Sequence, residues 1–247
     1  MPLTSGWIRH LRPRARAVRG GLHPISALKI AAGRHDDVRL AGVRLTGAHP
    51  RGVANTAVEV AAGEYAAPGF EIAPGDRVVD VGANVGAFAV LAARRGAGVE
   101  AYEPHPETFV HLERNAAGLA VKCVQAAVVA RSPPRGTVTL ELDRDSDTRH
   151  RVGGSGIEVP AVTLAEAVAG GCDLLKLDCE GAEFELLEAT PEDSWREVRR
   201  IACEVHPWAG SVEALAGRLS GIGFETRVEP RRAGLTLLFA RRRAAGS

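Results

Sequence analysis

The stretch that most constrains the fold of this chain is residues 77–86, which read R-V-V-D-V-G-A-N-V-G. Its β-branched apolar half is typical of a strand that is buried on both faces. Glycines at its end let the backbone turn tightly, and the apolar run at residues 87–93 predicts a helix after the turn. A strand, a glycine turn and a helix in this order form nucleotide sites, in which backbone N–H groups face the ligand.

The glycine pattern indicates which nucleotide such a site would take. A dinucleotide site needs G-x-G-x-x-G, but Asn84 stands where the middle glycine would be, so no diphosphate cradle is predicted. About twenty residues after the first glycine, Glu103 ends a second predicted strand, where an acid accepts hydrogen bonds from ribose hydroxyls. Ribose without diphosphate favours an adenosine ligand such as S-adenosylmethionine, whose ammonium group would suit Asp80. The alternative is a plain glycine turn with Glu103 as a solvated strand end.

Composition narrows the class of protein. The chain has 247 residues, enough for one domain with a sizeable core, and 31 basic against 30 acidic side chains. That balance argues against a nucleic-acid-binding protein. The four cysteines form no C-x-x-C pair, and the chain shows neither a signal peptide nor an apolar run of about 18 residues. We therefore expect a cytoplasmic protein with reduced cysteines and no membrane partner, whose arginine-rich first twenty residues are a solvated terminus or a binding arm.

From residue 77 onward, predicted strands and helices alternate, which indicates a parallel sheet with helices on both faces. Residues 121–129 are predicted to form a single strand, and residues 143–156 a loop that is either filler or a lid. We expect residues 1–70 to be an extension with a short helix and a hairpin that contacts substrate or another subunit. Residues 71–247 would then form the catalytic domain.

Polar residues follow several of the predicted strands. In open α/β sheets, ligands bind outside the carboxyl ends of the strands, so we expect these side chains to share one site. They are Asp80, Glu103, Asp178, Glu180, Glu204 and His206. Of these, Asp178, Glu180, Glu204 and His206 are the candidate catalytic residues, with His206 as the best general base because its ordinary pKa is near 6.5. The same four could instead bind a divalent cation such as Mg²⁺, and Glu183 could be either a helix cap or part of the site.

Four segments carry a resemblance to a known family. They are P-G-D-R-V-V-D-V-G-A-N-V-G, Y-E-P-H-P, D-L-L-K-L-D-C-E-G-A-E and C-E-V-H, at residues 74–86, 102–106, 173–183 and 203–206. In these segments the chain resembles the FkbM-like family of S-adenosylmethionine-dependent methyltransferases. The resemblance implies a class I methyltransferase fold, with a seven-stranded and mostly parallel sheet, and methyl transfer to a hydroxyl oxygen.

The resemblance also implies roles for individual residues. Gly82, Asn84 and Gly86 would line the methionine part of the cofactor, and Glu103 would hold its ribose. The residues that would flank adenine are Gln125, Ala126 and Ala127, although many methyltransferases have an acid there. Tyr65, where the resemblance begins, is assigned to the cofactor site as well.

The sequence thus predicts an S-adenosylmethionine-dependent O-methyltransferase that acts on a small molecule, such as a sugar or a secondary metabolite, without a required metal. Two alternatives stay open: an NAD-dependent oxidoreductase and a non-catalytic nucleoside-binding domain. The identity of the acceptor and the oligomeric state are left open.

Overall fold

The computed structural model describes residues 16–142, 151–206, 208–231 and 235–244. The helices in these ranges are α1 (Pro24–Ala31), α2 (Pro50–Ala61), α3 (Ala87–Arg94), α4 (Pro106–Ala116), α5 (Leu164–Val168), α6 (Glu183–Ala189) and α7 (Val212–Gly221), together with a 3₁₀ helix at Glu192–Glu197. The strands are β1 (Val38–Leu40), β2 (Val43–Leu45), β3 (Arg77–Val81), β4 (Gly98–Tyr102), β5 (Val121–Val124), β6 (Ala127–Val129), β7 (Thr137–Glu141), β8 (Arg151–Val152), β9 (Ile157–Thr163), β10 (Leu174–Leu177), β11 (Arg200–Val205), β12 (Phe224–Pro230) and β13 (Thr236–Arg242).

The main sheet has seven strands in the order β12-β13-β11-β10-β3-β4-β5. Strands β5, β4, β3, β10 and β11 pair in parallel, whereas β13 lies antiparallel to both of its neighbours. This is the seven-stranded, mostly parallel sheet of the class I methyltransferase fold, so the predicted fold class is confirmed. The order in which strands are added changes direction at β3, because β4 lies on one side of it and β10 on the other. A ligand site is expected at such a switch point.

Each face of the main sheet is covered by its own hydrophobic cluster. One cluster joins Val78 and Val99 of the sheet to side chains of α2, α3 and α4. The other joins Val79 and Leu175 to side chains of α5, α6 and α7, with Trp195 of the 3₁₀ helix. Neighbouring residues of β3 therefore point to opposite, fully covered faces, which explains why residues 78–81 of this strand are buried and apolar apart from Asp80.

The N-terminal region contains the predicted short helix, α1, and the predicted hairpin, β1–β2. It also contains α2, whose buried side chains Val53, Ala57 and Val60 belong to the same cluster as the sheet residues. The described part of residues 1–70 therefore shares its core with the main domain. Arginines in the first fifteen residues lie outside the described part of the chain.

Two predicted elements differ in the structure. The strand predicted at residues 121–129 is broken into β5 and β6, because β5 pairs with β4 while β6 leaves the main sheet and pairs with β9. The sequence also predicts a helix over residues 180–187. That helix begins only at Glu183, since Glu180 has a φ of 52° and Gly181 a φ of 104°, which no right-handed helix accepts.

The predicted loop at residues 143–156 falls largely on residues 143–150, which lie outside the described part of the chain. Its described end contains β8, which pairs with β7 through Val152 and Leu140. Among the described helices, none combines the length and the apolar character needed to cross a membrane.

Candidate active site

A cavity of about 550 Å³ lies at the carboxyl ends of the main-sheet strands. Its wall is formed by the turn after β3, the ends of β4, β10 and β11, the α2 helix and part of the β6–β9 sheet. Glu103 and Asp178 both line it, as do Glu180, Glu204 and His206. The sheet therefore brings the predicted cofactor acid and the predicted catalytic residues into one cavity of the size that a small-molecule ligand needs.

Backbone N–H groups of the turn after β3 are all used within the protein. Those of Gly82 and Ala83 donate to the carbonyl oxygen of Tyr102, at 3.1 and 2.9 Å. The next three donate to the Glu103 side chain, the Asn84 side chain and the Ala83 carbonyl. The expectation that these groups face a ligand is therefore wrong, and a diphosphate would find no free N–H donor at residues 82–86.

Two glycines of the turn are required by packing. Gly82 has a φ of 73°, and a Cβ atom there would lie 1.8 Å from the backbone oxygen of Asp178. Gly86, the residue before α3, has a φ of 84°, and a Cβ atom there would lie 2.6 Å from Leu112 Cδ1. Gly82 and Asn84 line the cavity, whereas Gly86 sits behind its wall, so a direct contact of Gly86 with the cofactor is not supported.

The Glu103 carboxylate fixes the turn on the β4 side. Its Oε2 accepts from the Asn84 N–H and its Oε1 from the His105 N–H, both at 2.9 Å. Burial raises the pKa of Glu103 to about 7, although these two hydrogen bonds act in the opposite direction. Each oxygen keeps a second lone pair, so the side chain can still accept two ribose hydroxyls at the cavity wall.

Asp80 differs from its prediction. Its side chain is fully buried in β3 and faces the ammonium group of Lys176 on β10, with Nζ 3.0 Å from Oδ1. Lys176 also donates to the Gly82 carbonyl at 2.7 Å and lies 3.7 Å from Asp178 Oδ2. Although burial opposes its charge, Asp80 and Asp178 raise the pKa of Lys176. Asp80 thus acts on the cavity through Lys176 rather than as part of its wall.

The predicted adenine segment is only partly in place. Ala126 and Ala127 line the cavity where the chain passes from β5 to β6, and both are buried. Gln125 is exposed and does not line the cavity, because the chain leaves the main sheet at this residue. Leu140 and Val152 of the β7–β8 hairpin complete an apolar wall here, which suits the flat faces of a purine.

A group of acids lies at the other end of the cavity, where β10 and β11 end. The buried Tyr65 hydroxyl donates to Asp178 Oδ2 at 2.8 Å and lies 3.4 Å from Glu204 Oε2. Burial, with the charges of Asp178 and Glu204, raises the pKa of Tyr65, which remains a donor. Tyr65 therefore contacts the candidate catalytic residues and not the predicted cofactor residues. Burial, with the charges of Asp178 and Glu64, raises the pKa of Glu204 to about 8.

His206 is held by Glu183, which is fully buried at the start of α6. Glu183 accepts N–H groups from Cys179 and Gly181, at 2.8 and 2.9 Å, and its Oε1 lies 3.1 Å from His206 Nδ1. Burial of the imidazole opposes a charge, but the hydrogen bond with Glu183 and the charges of Glu183 and Glu180 raise the pKa of His206 to about 9. A histidine that is already protonated near neutral pH is a poor general base, which corrects the reason for choosing it.

Several residues of this site were not predicted from the sequence. Lys176 had a local signal, since a lysine inside the apolar strand L-L-K-L needs a buried partner. Glu183 was considered only as a possible cap or site residue. Glu59 and Glu64 line the cavity from α2 and the segment after it, and they are placed there by tertiary packing that no local pattern reveals.

Comparisons with known proteins find similar sequences. Residues 80–225 match the family described as the Methyltransferase FkbM domain. The chain is 30% identical over 204 residues to 31-O-demethyl-FK506 methyltransferase FkbM of Streptomyces tacrolimicus, covering 67% of this chain and 78% of that protein. It is 27% identical over 189 residues to Methyltransferase sdnD of Sordaria araneosa, covering 60% and 73%.

A similar solved structure is that of Methyltransferase FkbM from Methylobacillus flagellatus KT. The match has a TM-score of 0.48 and 13% identity, and covers 94% of this chain and 59% of that one.

Proposed function

This chain belongs to the FkbM family of S-adenosylmethionine-dependent methyltransferases, and we propose that its reaction is the O-methylation of a small molecule. The observation that carries the proposal is the single cavity that has Glu103 on the β4 side of β3 and the Asp178–Glu204–Tyr65 group on the β10 side. Strands in a sheet are about 4.8 Å apart, so the ends of β4 and β10 are separated by about 10 Å. A ribose at Glu103 would therefore place a nearby sulfur between the two groups.

The residues of the β3–β4 side fit the cofactor. We assign the methionine part to Gly82 and Asn84, the ribose to Glu103, and adenine to Ala126 and Ala127. When bound, S-adenosylmethionine supplies an electrophilic methyl group, which bonds to the acceptor oxygen as the carbon–sulfur bond breaks and its electron pair stays on sulfur. The occupied N–H groups of the turn disfavour a dinucleotide, and with it the oxidoreductase alternative.

The acids at the β10–β11 side would bind and deprotonate the acceptor hydroxyl. Carboxylates accept the hydrogen bond of a hydroxyl, and Glu204, whose pKa burial raises to about 8, is the stronger base when it is ionised. We assign this work to the acid cluster, defined as Asp178, Glu180 and Glu204, and the orientation of Asp178 to Tyr65. His206 then contributes a positive charge beside the developing alkoxide. Holding the two reactants together in line contributes roughly 7–11 kcal/mol.

The N-terminal region would select the acceptor. Helix α2 lines the cavity through Asn55, Thr56 and Glu59, and Glu64 and Tyr65 follow it. This polar wall suits a hydroxylated acceptor. The name of the Streptomyces relative, 31-O-demethyl-FK506 methyltransferase, describes transfer to an oxygen, which favours oxygen over nitrogen or carbon as the accepting atom here.

The experiment combines binding with product analysis. Calorimetric titration should show binding of S-adenosylmethionine and none of NAD. Incubation with methyl-¹³C-labelled cofactor and a panel of 31-O-demethyl-FK506, methyl glycosides and matched amines should then give a ¹³C signal of an O-methyl group. N-methyl products alone, or cofactor binding with no transfer across the panel, would contradict the proposal.

A further inference from the structure

We propose that Asp178, Glu204 and His206 form a binding site for one divalent cation. Each offers one donor atom, and these atoms all lie within 4.8 Å of one another. The residues follow β10 and β11, which are parallel neighbours, so their carboxyl ends meet at one edge of the sheet. A cation among them would draw the donors together to the separation that a shared metal requires.

The orientation of His206 supports a cation on Nε2. The Glu183 carboxylate is itself fixed by two backbone N–H groups, so it can only accept a hydrogen bond from His206 Nδ1. This arrangement, in which a buried carboxylate holds one ring nitrogen, is the usual way to orient a metal-binding histidine. It leaves the other nitrogen, Nε2, facing the carboxylate of Glu204 at 3.8 Å.

The surroundings of His206 Nε2 are a second observation, beside the spacing of the three donor atoms. The side chain is 3% exposed, and within the described residues no hydrogen bond involves Nε2. Its neighbours are carboxylate oxygens, with Glu180 Oε2 at 3.5 Å and Glu204 Oε1 at 3.8 Å. Without a metal, the positive charge between Nε2 and these oxygens is the proton of the imidazolium. A divalent cation would displace that proton and take the same position, with a larger positive charge.

The nearby lysine already has other partners. Lys176 Nζ lies 3.0 Å from Asp80 and donates to the Gly82 carbonyl, whereas its distance to Asp178 is 3.7 Å. The positive charge of Lys176 therefore interacts mainly with Asp80 and the Gly82 carbonyl, and less with Asp178. Glu59, Glu64, Asp178, Glu180 and Glu204 line the same cavity. This excess of acids favours a doubly charged ion at the β10–β11 end.

The donor set indicates the class of metal. Two carboxylates and one imidazole suit Mn²⁺ or Mg²⁺, with open positions for water or a substrate oxygen. The role of the ion rests on the proposed function: it would bind the acceptor hydroxyl and lower its pKa, and the proton would pass to the carboxylate of Glu180. The binding of the ion does not depend on that role and can be tested without cofactor or acceptor.

Chelator-treated protein is titrated with Mn²⁺, and the free ion is followed by electron paramagnetic resonance. We expect one ion per chain and, by NMR, selective broadening of the imidazole signals of His206 in the unaltered protein. His206→Gln and Asp178→Asn should each weaken binding at least 10-fold, and Glu183→Gln about 10–100-fold. The matched control is Glu185→Gln, an exposed acid on the same helix, which should bind like the parent.

The outcome is clear in either direction. No binding of Mn²⁺ at millimolar concentration, or an ion that leaves the His206 signals sharp, would overturn the proposal. Binding that survives both His206→Gln and Asp178→Asn would overturn it as well. If the ion binds but no acceptor is methylated, the site stands and the proposed function fails. If methylation proceeds unchanged in chelator, when no ion is bound, the proposed function stands and the catalytic role of the ion fails.

Discussion

Replacement of Lys176 by methionine tests the buried ion pair that Lys176 forms with Asp80. The ammonium group and the Asp80 carboxylate are 4% and 0% exposed, and their charged atoms are 3.0 Å apart. Removal of one partner from a buried pair leaves an uncompensated charge and costs about 3–5 kcal/mol. Because domains are stable by roughly 5–15 kcal/mol, Lys176→Met should remove a large fraction of the free energy of unfolding.

A double-mutant cycle distinguishes this pairing from simple loss of packing. We expect Asp80→Leu with Lys176→Met to be more stable than Lys176→Met alone by about 2 kcal/mol or more, because both charges are then gone. Urea unfolding at pH 7, followed by circular dichroism, gives the four free energies. Additivity within about 0.5 kcal/mol, or a loss below about 1 kcal/mol for Lys176→Met, would mean that the two charges do not stabilise each other.

Three further predictions follow from the cavity. Cofactor affinity, measured by calorimetry, should fall up to about tenfold per pH unit below pH 7. The reason is that Glu103 must be ionised to accept the ribose hydroxyls, and its pKa is about 7. Glu103→Gln should flatten this pH dependence. Tyr65→Phe should lower kcat about 10-fold or more through loss of the hydrogen bond to Asp178, with cofactor affinity unchanged; an equal loss in affinity would place Tyr65 at the cofactor instead. Gly82→Ala should lower the free energy of unfolding, measured by thermal unfolding, by at least about 2 kcal/mol. The control is Gly217→Ala in α7, where an added Cβ meets no atom within 4 Å, and it should be neutral or stabilising. Similar effects of both substitutions would contradict the close approach at Gly82.

The sequence predicts the main-sheet strands well because the signals are local. Apolar runs that end in polar residues mark β3, β4, β10 and β11, and Thr163 with Glu166 forms a capping box before α5, which is visible in the sequence as T-x-x-E. Proline at the first position of α4 and Ser211 before α7 mark helix starts in the same way. These features depend on backbone geometry within a few residues, which one sequence is enough to show.

The remaining features depend on partners that are distant in the sequence. Tyr65 reaches Asp178 across 113 positions, so its role could not be read from its neighbours. The break between β5 and β6 arises because β9 competes for the second half of the segment. Against the effect of burial, the pKa of His206 is raised chiefly by Glu183, 23 residues away. In each case the pattern identifies the residue type, and tertiary contacts decide what that residue does.

The most direct measurement is a crystal structure of the chain with S-adenosylhomocysteine. We expect the ribose hydroxyls to lie against the Glu103 carboxylate and the sulfur to point towards Asp178 and Glu204, across the end of β3. A product bound elsewhere, or one whose sulfur faces away from these two acids, would contradict this expectation.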